Sequence, residues 1–185
     1  IARMDADDIS MPDRLERQLA YLDAHPDVSV LGSAVTFFDE RGKEFVAHQP
    51  LEHEEIKCTL FYGFTMLHPS VMMRKGDFVK HGLNYDRAFR VSQDHDLWTR
   101  SIRVLRFANL HSPLLRMREH EAKLGRTHNR MQQDLSDLVR VRQLNELGLV
   151  ANSRQLQLLS EHQSEAAHWS IGDCQEFESL LLDIF

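Results

Sequence analysis

Leu15, Leu19 and Leu22 recur at helical spacing among Arg14, Glu16, Arg17 and Asp23. This pattern predicts a helix over residues 11–25 with the leucine stripe inward. Pro26 ends it, since the residue before proline is pushed out of the helical region. The Val-rich run Val28–Phe38 reads as a strand, Asp39–Lys43 as a turn and Glu44–Ala47 as a short return strand. Residues 52–62 read as a helix with Ile56, Leu60 and Phe61 inward. Residues 66–75 read as a loop running into a strand, and residues 77–81 as a short helix closed by Gly82 in the left-handed conformation. A polar stretch then turns helical, with Leu97, Trp98 and Ile102 as its buried set. Residues 105–110 and 113–118 read as two short strands around His111-Ser112.

From His128 the period changes. Met131, Leu135, Leu138, Val139 and Leu144 mark a long amphipathic helix ending at Gly148. Ser153 is placed to cap a second helix carrying Leu156 and Leu159. A third runs over residues 173–185 with Phe177, Leu180, Leu181 and Ile184. The expected fold is α/β: a partial, Rossmann-like mixed sheet with flanking helices over residues 1–126, then an α-helical extension over residues 127–185.

Composition narrows the classes of function. The 185 residues are 42% hydrophobic and 27% charged, which fits a folded domain rather than a disordered chain. The net charge is −6 and no basic stripe interleaves with aromatics, so nucleic acid is not an expected partner. No apolar run is long enough to span a bilayer, so no transmembrane segment is expected. Cys58 and Cys174 lie far apart without paired spacing and read as small buried hydrophobes.

The chemistry concentrates at the start. Asp5, Asp7 and Asp8 stand within four residues, after a short apolar lead-in. An acidic cluster of this kind can hold a hard divalent cation through oxygen ligands. It can also be a solvated loop next to a helix cap, with Ser10 and Asp13 spaced as a near capping box. A calcium loop is the third reading: Asp5, Asp7 and Glu16 fit its ligand positions, but Ser10 stands where the sharp turn wants glycine.

Asp5-Ala6-Asp7-Asp8, followed by Pro12, Arg14, Leu15 and Gln18, resembles the Asp-x-Asp segment of family 2 glycosyltransferases of the GT-A fold. Three later segments resemble the same family in the same order: His68-Pro69-Ser70-Val71-Met72-Met73-Arg74, then Asp94-His95-Asp96-Leu97-Trp98-Thr99-Arg100, then Leu115–His120. Gln93 stands where the family has Glu, and Met117 where Tyr is usual. The likeness covers residues 1–122. It implies that the strands building the nucleotide crevice precede Ile1, so these residues form the acceptor-side half of a catalytic domain and are expected to be inactive alone.

The resemblance implies inverting transfer from a nucleotide sugar, with a UDP-sugar expected, to a hydroxyl acceptor that is a glycan or lipid-linked. It places the reaction in bacterial surface polysaccharide or related glycan synthesis, in the cytoplasm or at the inner face of the membrane. Asp7 is the first candidate metal ligand. Asp5 would contact the donor ribose, or the metal through water. Arg118 would grip phosphate oxygens, and His120 could complete the metal site. The cofactor implied is Mn2+ or Mg2+. Asp94 is the candidate general base, since an ordinary Asp is ionised at neutral pH. Asp94 and Asp96 also suit the positive end of a helix dipole, and Asp8 suits a turn. His68, before Pro69, reads as structural. The alternative is a non-catalytic scaffold whose C-terminal helices bind a partner or a second copy of the chain.

Overall fold

The fold is built on Val28–Phe38, the longest run of apolar and β-branched residues in the front half. In the computed structural model, which describes residues 1–61, 66–119, 129–161 and 170–184, this run is strand β2. It follows strand β1 (Ile9–Ser10) and helix α1 (Arg14–Ala24), and precedes strand β3 (Glu44–Ala47) and helix α2 (His53–Thr59). A 3₁₀ turn over His68–Ser70, strand β4 (Met72–Met73), helix α3 (Lys75–Lys80), helix α4 (Gln93–Ser101) and strand β5 (Arg106–Arg118) come next. The chain closes with α5 (Asn129–Glu146), α6 (Ser153–Glu161) and α7 (Ile171–Ile184).

The sheet is open and mixed, in the order β1-β5-β2-β3, with β4 against the start of β2. β2 and β5 run parallel at its centre, and the other pairs are antiparallel. A central parallel pair is covered on both faces, which explains why residues 28–35 of β2 are all buried. Alternation splits them. Val30 and Phe107 join Ile56, Leu60, Leu97, Trp98 and Ile102 on one side, while Leu31 and Ala108 pack with Leu22 of α1 on the other. This is the expected mixed α/β class, a GT-A-like partial domain followed by C-terminal helices.

Several expectations need correction. Two of the three leucines of the predicted α1 stripe face outward: Leu15 is 57% and Leu19 54% exposed, and only Leu22 is buried. The buried face is Arg14, Gln18 and Leu22. Segments beneath α1, the start of β2 among them, present buried carbonyls, and such groups need donors. Arg14 Nη2 donates to Arg3 O (2.8 Å), and Gln18 Nε2 donates to Ser70 O (2.8 Å) and Leu31 O (3.2 Å). Ser10 does not cap α1. It lies in β1, where it pairs with Leu115, and its hydroxyl donates to Met11 O.

The two strands expected around His111-Ser112 are one, β5. Ser33 pairs with Leu110 and the next residue, Ala34, with Pro113, so His111 and Ser112 bulge out of a continuous strand. Pro113 fits there because a bulge needs no ladder donor. Arg17 Nη2 donates to Ser112 Oγ (2.7 Å) across the bulge. The cap of α6 is Asn152 rather than Ser153. Asn152 Oδ1 accepts the Gln155 amide and Gln155 Oε1 accepts the Asn152 amide, both at 2.9 Å, a reciprocal capping box. Cys58 is half-buried, but Cys174 is exposed, so it is no core residue.

The C-terminal helices pack onto the front half. Leu144, Leu159 and Leu180 form a core with Phe61, the residue two beyond α2. The inward face of α5 is largely polar, with Ser136, Arg140 and Gln143 buried beside Val139 and Leu144, while the expected core residue Leu138 is 60% exposed.

His95 of α4 is 1% exposed and its Nε2 donates to Leu60 O (3.1 Å). Burial pushes its pKa down from the usual 6.5 to about 4. The imidazole is therefore neutral in the folded protein at neutral pH. Between those two values the unfolded chain binds a proton that the folded chain refuses, so stability falls as pH falls. Urea unfolding at pH 7.5 and pH 5 is expected to show about 2 kcal/mol of acid destabilisation from this residue. The His95→Gln variant should lack that increment; an equal pH dependence in both proteins would contradict it.

Candidate active site

The acidic turn is strung between two strands. Residues 1–3 run antiparallel beside β4, with Met73 N bonded to Ile1 O (2.8 Å) and Arg3 N to Val71 O (2.9 Å). Residues 9–10 pair with β5. Between them Asp8 N closes on Asp5 O (3.4 Å). The turn thus sits where Phe38 and Arg118 end the parallel pair β2 and β5. The carboxyl ends of parallel strands are where open α/β sheets bind ligands.

The three carboxylates have different surroundings. Asp8 is buried and its Oδ1 accepts the Arg118 amide (3.1 Å), so it holds the turn in place, as the turn reading anticipated. Asp7 is exposed. Asp5 is half-exposed and pairs with Arg3 at 2.7 Å. Arg118 lies beside them, its Nε donating to Asp7 O (3.4 Å) and its guanidinium 4.9 Å from the Phe38 ring centroid. The structure therefore gathers Asp5, Asp7 and Arg118 at one end of the sheet. His120 lies outside the described residues.

Asp94 is half-buried on the first turn of α4. One turn later on the same helical face is Trp98, whose ring meets His68 edge-on with centroids 5.8 Å apart. His68 Nε2 lies 2.7 Å from the Tyr85 hydroxyl. Burial lowers the His68 pKa below its usual value; the charge of Asp94 raises it, Arg3 lowers it and Asp5 raises it. Tyr85 has its pKa raised, first by burial, and it too feels Arg3 and Asp94. His68 thus packs against α4 through Trp98, and the charges of Arg3 and Asp5 act on it as well. Reading the sequence left His68 as structural and missed Tyr85 and Arg3. An aromatic and a histidine in polar loops flanking the motifs were the only signal.

Asp96 does more than complement a dipole. It is fully buried, and its carboxylate receives Arg100 (2.6 Å) and Arg142 of α5 (2.7 Å). Burial pushes its pKa up, but the hydrogen bonds from Arg100 and Arg142 outweigh that and hold it below the usual carboxylate range. Asp96 thus remains ionised and fixes α4. It offers no free oxygen to a substrate.

Among the described residues, no group of three His, Cys, Asp or Glu side chains forms a ready metal cage, and no helix is long and apolar enough to cross a membrane. The donor chemistry of Asp5 and Asp7 nevertheless fits a hard cation: two carboxylates on one turn, Asp7 exposed and Asp5 half-exposed beside Arg3, with other ligand positions left to water and substrate oxygens.

A mixed sheet whose parallel core ends in an acidic turn, with a second carboxylate carried in on a helix, defines a partial GT-A-like domain. Residues 1–83 match the model of glycosyl transferase family 2. The chain is 34% identical over 119 residues to the amylovoran biosynthesis glycosyltransferase AmsE of Erwinia amylovora, covering 64% of this chain and 44% of that one. It is 33% identical over 123 residues to the O-antigen biosynthesis glycosyltransferase WbnJ of Escherichia coli, covering 65% and 47%. A bifunctional glycosyltransferase of Dictyostelium discoideum, pgtA, is 25% identical over 169 residues, covering 72% and 22%. The chain thus spans less than half the length of these relatives.

Proposed function

We propose that these residues form the acceptor side of the catalytic centre of an inverting, cation-dependent glycosyltransferase, acting from a nucleotide-sugar donor in polysaccharide synthesis. One observation carries the reading: Asp5, Asp7 and Arg118 come together where the parallel pair β2 and β5 ends. On this reading the acidic turn and Asp94, almost ninety residues apart in sequence, border one site, with His68 packed against Trp98 one turn beyond Asp94. The amylovoran and O-antigen biosynthesis named for the AmsE and WbnJ relatives supports that product class.

In a single displacement the acceptor oxygen bonds to the anomeric carbon as the bond from that carbon to the diphosphate breaks. The acceptor's proton must leave as its oxygen becomes positive. Asp94, carried on the first turn of α4, takes it. Arg118 supplies donors suited to phosphate oxygens. Asp7, with Asp5, would hold a divalent cation, which supplies positive charge against the departing diphosphate. Neutral His68 and Tyr85 would line the space between, offering hydrogen bonds without adding charge.

Asp7→Asn in the complete polypeptide that carries these residues tests the cation assignment. Turnover of a UDP-sugar should fall by about a hundredfold or more, and the Mn2+ concentration for half-activity should rise. Wild-type turnover with unchanged Mn2+ dependence would contradict the assignment.

A further inference from the structure

Helix α4 begins in an unusual way. Ser92, its N-cap residue, is buried at 6% exposure and has φ 56° and ψ 22°, the sole non-glycine positive φ among the described residues. A serine at this position ordinarily takes extended backbone, and its side chain accepts an amide of the first turn. Here it caps nothing. Its hydroxyl turns onto α5 instead, donating to Gln132 O (3.2 Å) and lying 3.0 Å from Ser136 Oγ. A left-handed serine that gives up its cap bond is the kind of local strain that functional sites retain.

A second tie follows one turn on. Arg142 of α5 donates from Nη1 to Asp96 Oδ1 (2.7 Å) and from Nη2 to Thr99 Oγ1 (3.0 Å). Arg100 holds the other oxygen of Asp96 and extends to Asn84 O (2.7 Å). The two ties from α5 fall at positions 92 and 96 and bracket Asp94. Asp94 itself is left out of both networks among these bonds and is half-buried.

We propose that α5 is a positioning element for the transfer reaction, with Ser136 and Arg142 as positioning residues. They fix the start of α4 so that the Asp94 carboxylate meets the acceptor hydroxyl. The proposal rests on the reading of Asp94 as the base. Positioning by a neighbouring element matters because displacing a catalytic group by about 1 Å can cost on the order of a hundredfold in rate.

The test uses Ser136→Ala and Arg142→Met, the latter keeping the stem and leaving Asp96 paired with Arg100. Hydrogen exchange on the chain itself should show the Asp96 amide, bonded to Ser92 O (3.1 Å), exchanging about ten- to a hundredfold faster in both variants. The amides of β2 and the melting temperature should change little. Arg142→Lys should restore part of the protection. In the complete polypeptide, assayed on whichever of a panel of UDP-, GDP- and dTDP-sugars it turns over fastest, both variants should lower kcat about tenfold or more with donor KM unchanged. Unaltered exchange at Asp96, parallel loss across β2, or wild-type kcat despite a loosened first turn would each overturn the proposal. Asp94→Asn in the same assay separates the two claims. If it keeps wild-type turnover, the base reading fails. If it is inactive while Arg142→Met is fully active, only the positioning role fails.

Discussion

Asp94→Asn is expected to lower transfer by about 10²–10⁴-fold in the complete polypeptide while leaving the fold intact. The substitution keeps the size of the side chain and its place on α4, but removes the ability to take a proton. The fold should not register the change, because the ties that hold this part of α4 run through Ser92, Asp96 and Thr99 and not through Asp94. Donor KM should stay near its wild-type value, since the lost interaction belongs to the acceptor's proton in the transition state. The complementary Asp96→Asn variant should behave differently. It leaves Arg100 and Arg142 without their shared carboxylate, so stability should fall along with activity. Thermal unfolding beside steady-state kinetics distinguishes the two. Near-wild-type turnover by Asp94→Asn would refute the base assignment.

Arg14→Ala is expected to destabilise the protein by about 3–5 kcal/mol, enough to lower the melting temperature by roughly 10 °C in a chain of this size. Arg14 is 1% exposed, and its guanidinium joins three parts of the structure. Its Nε donates to Gln18 Oε1 (3.0 Å), its Nη2 to Arg3 O (2.8 Å), and its charge faces the buried Asp8. Burial lowers its pKa, and the charge of Asp8 raises it in part. Truncation would strip Asp8 of that countercharge and leave the Gln18 and Arg3 oxygens short of a donor. The damage should spread to the site, because Arg3 and Asp8 flank the turn that carries Asp5 and Asp7. Denaturant unfolding measures the stability loss. A change below about 1 kcal/mol would show that the buried guanidinium is dispensable.

How much of this was legible in the sequence depended on the range of the interactions. β2 was legible because its apolar run is long and bounded by Pro26 and the Asp39–Lys43 turn. The α4 core face was legible for the same reason: Leu97, Trp98 and Ile102 repeat at helical spacing and are buried. β5 was not, since a polar pair before a proline looks the same as a turn whether it ends a strand or bulges from one. α1 misled because Leu15 and Leu19 obey the helical period yet face outward. A pattern reading assigns apolar residues inward, and nothing local announces that carbonyls elsewhere will demand Arg14 and Gln18. The motif carboxylates were legible through resemblance, and the distinction among them was not. Asp8 became a buried anchor through Arg118, and Asp96 an ion-pair centre through Arg142. Both partners are distant in sequence. His68 and Tyr85 were invisible for that reason too: their meaning comes from what the fold sets beside them.

The central claim is that the acidic turn and the start of α4 border one site around His68. Its most direct test is the pKa of His68, followed by imidazole NMR in the wild type and in the Asp94→Asn, Asp5→Asn and Arg3→Gln variants. Asp94 and Asp5 hold the proton on His68 and Arg3 repels it. The account therefore predicts a lower His68 pKa in both Asn variants and a higher one in Arg3→Gln. A His68 titration that responds to the turn variants but ignores Asp94→Asn, or the reverse, would contradict it.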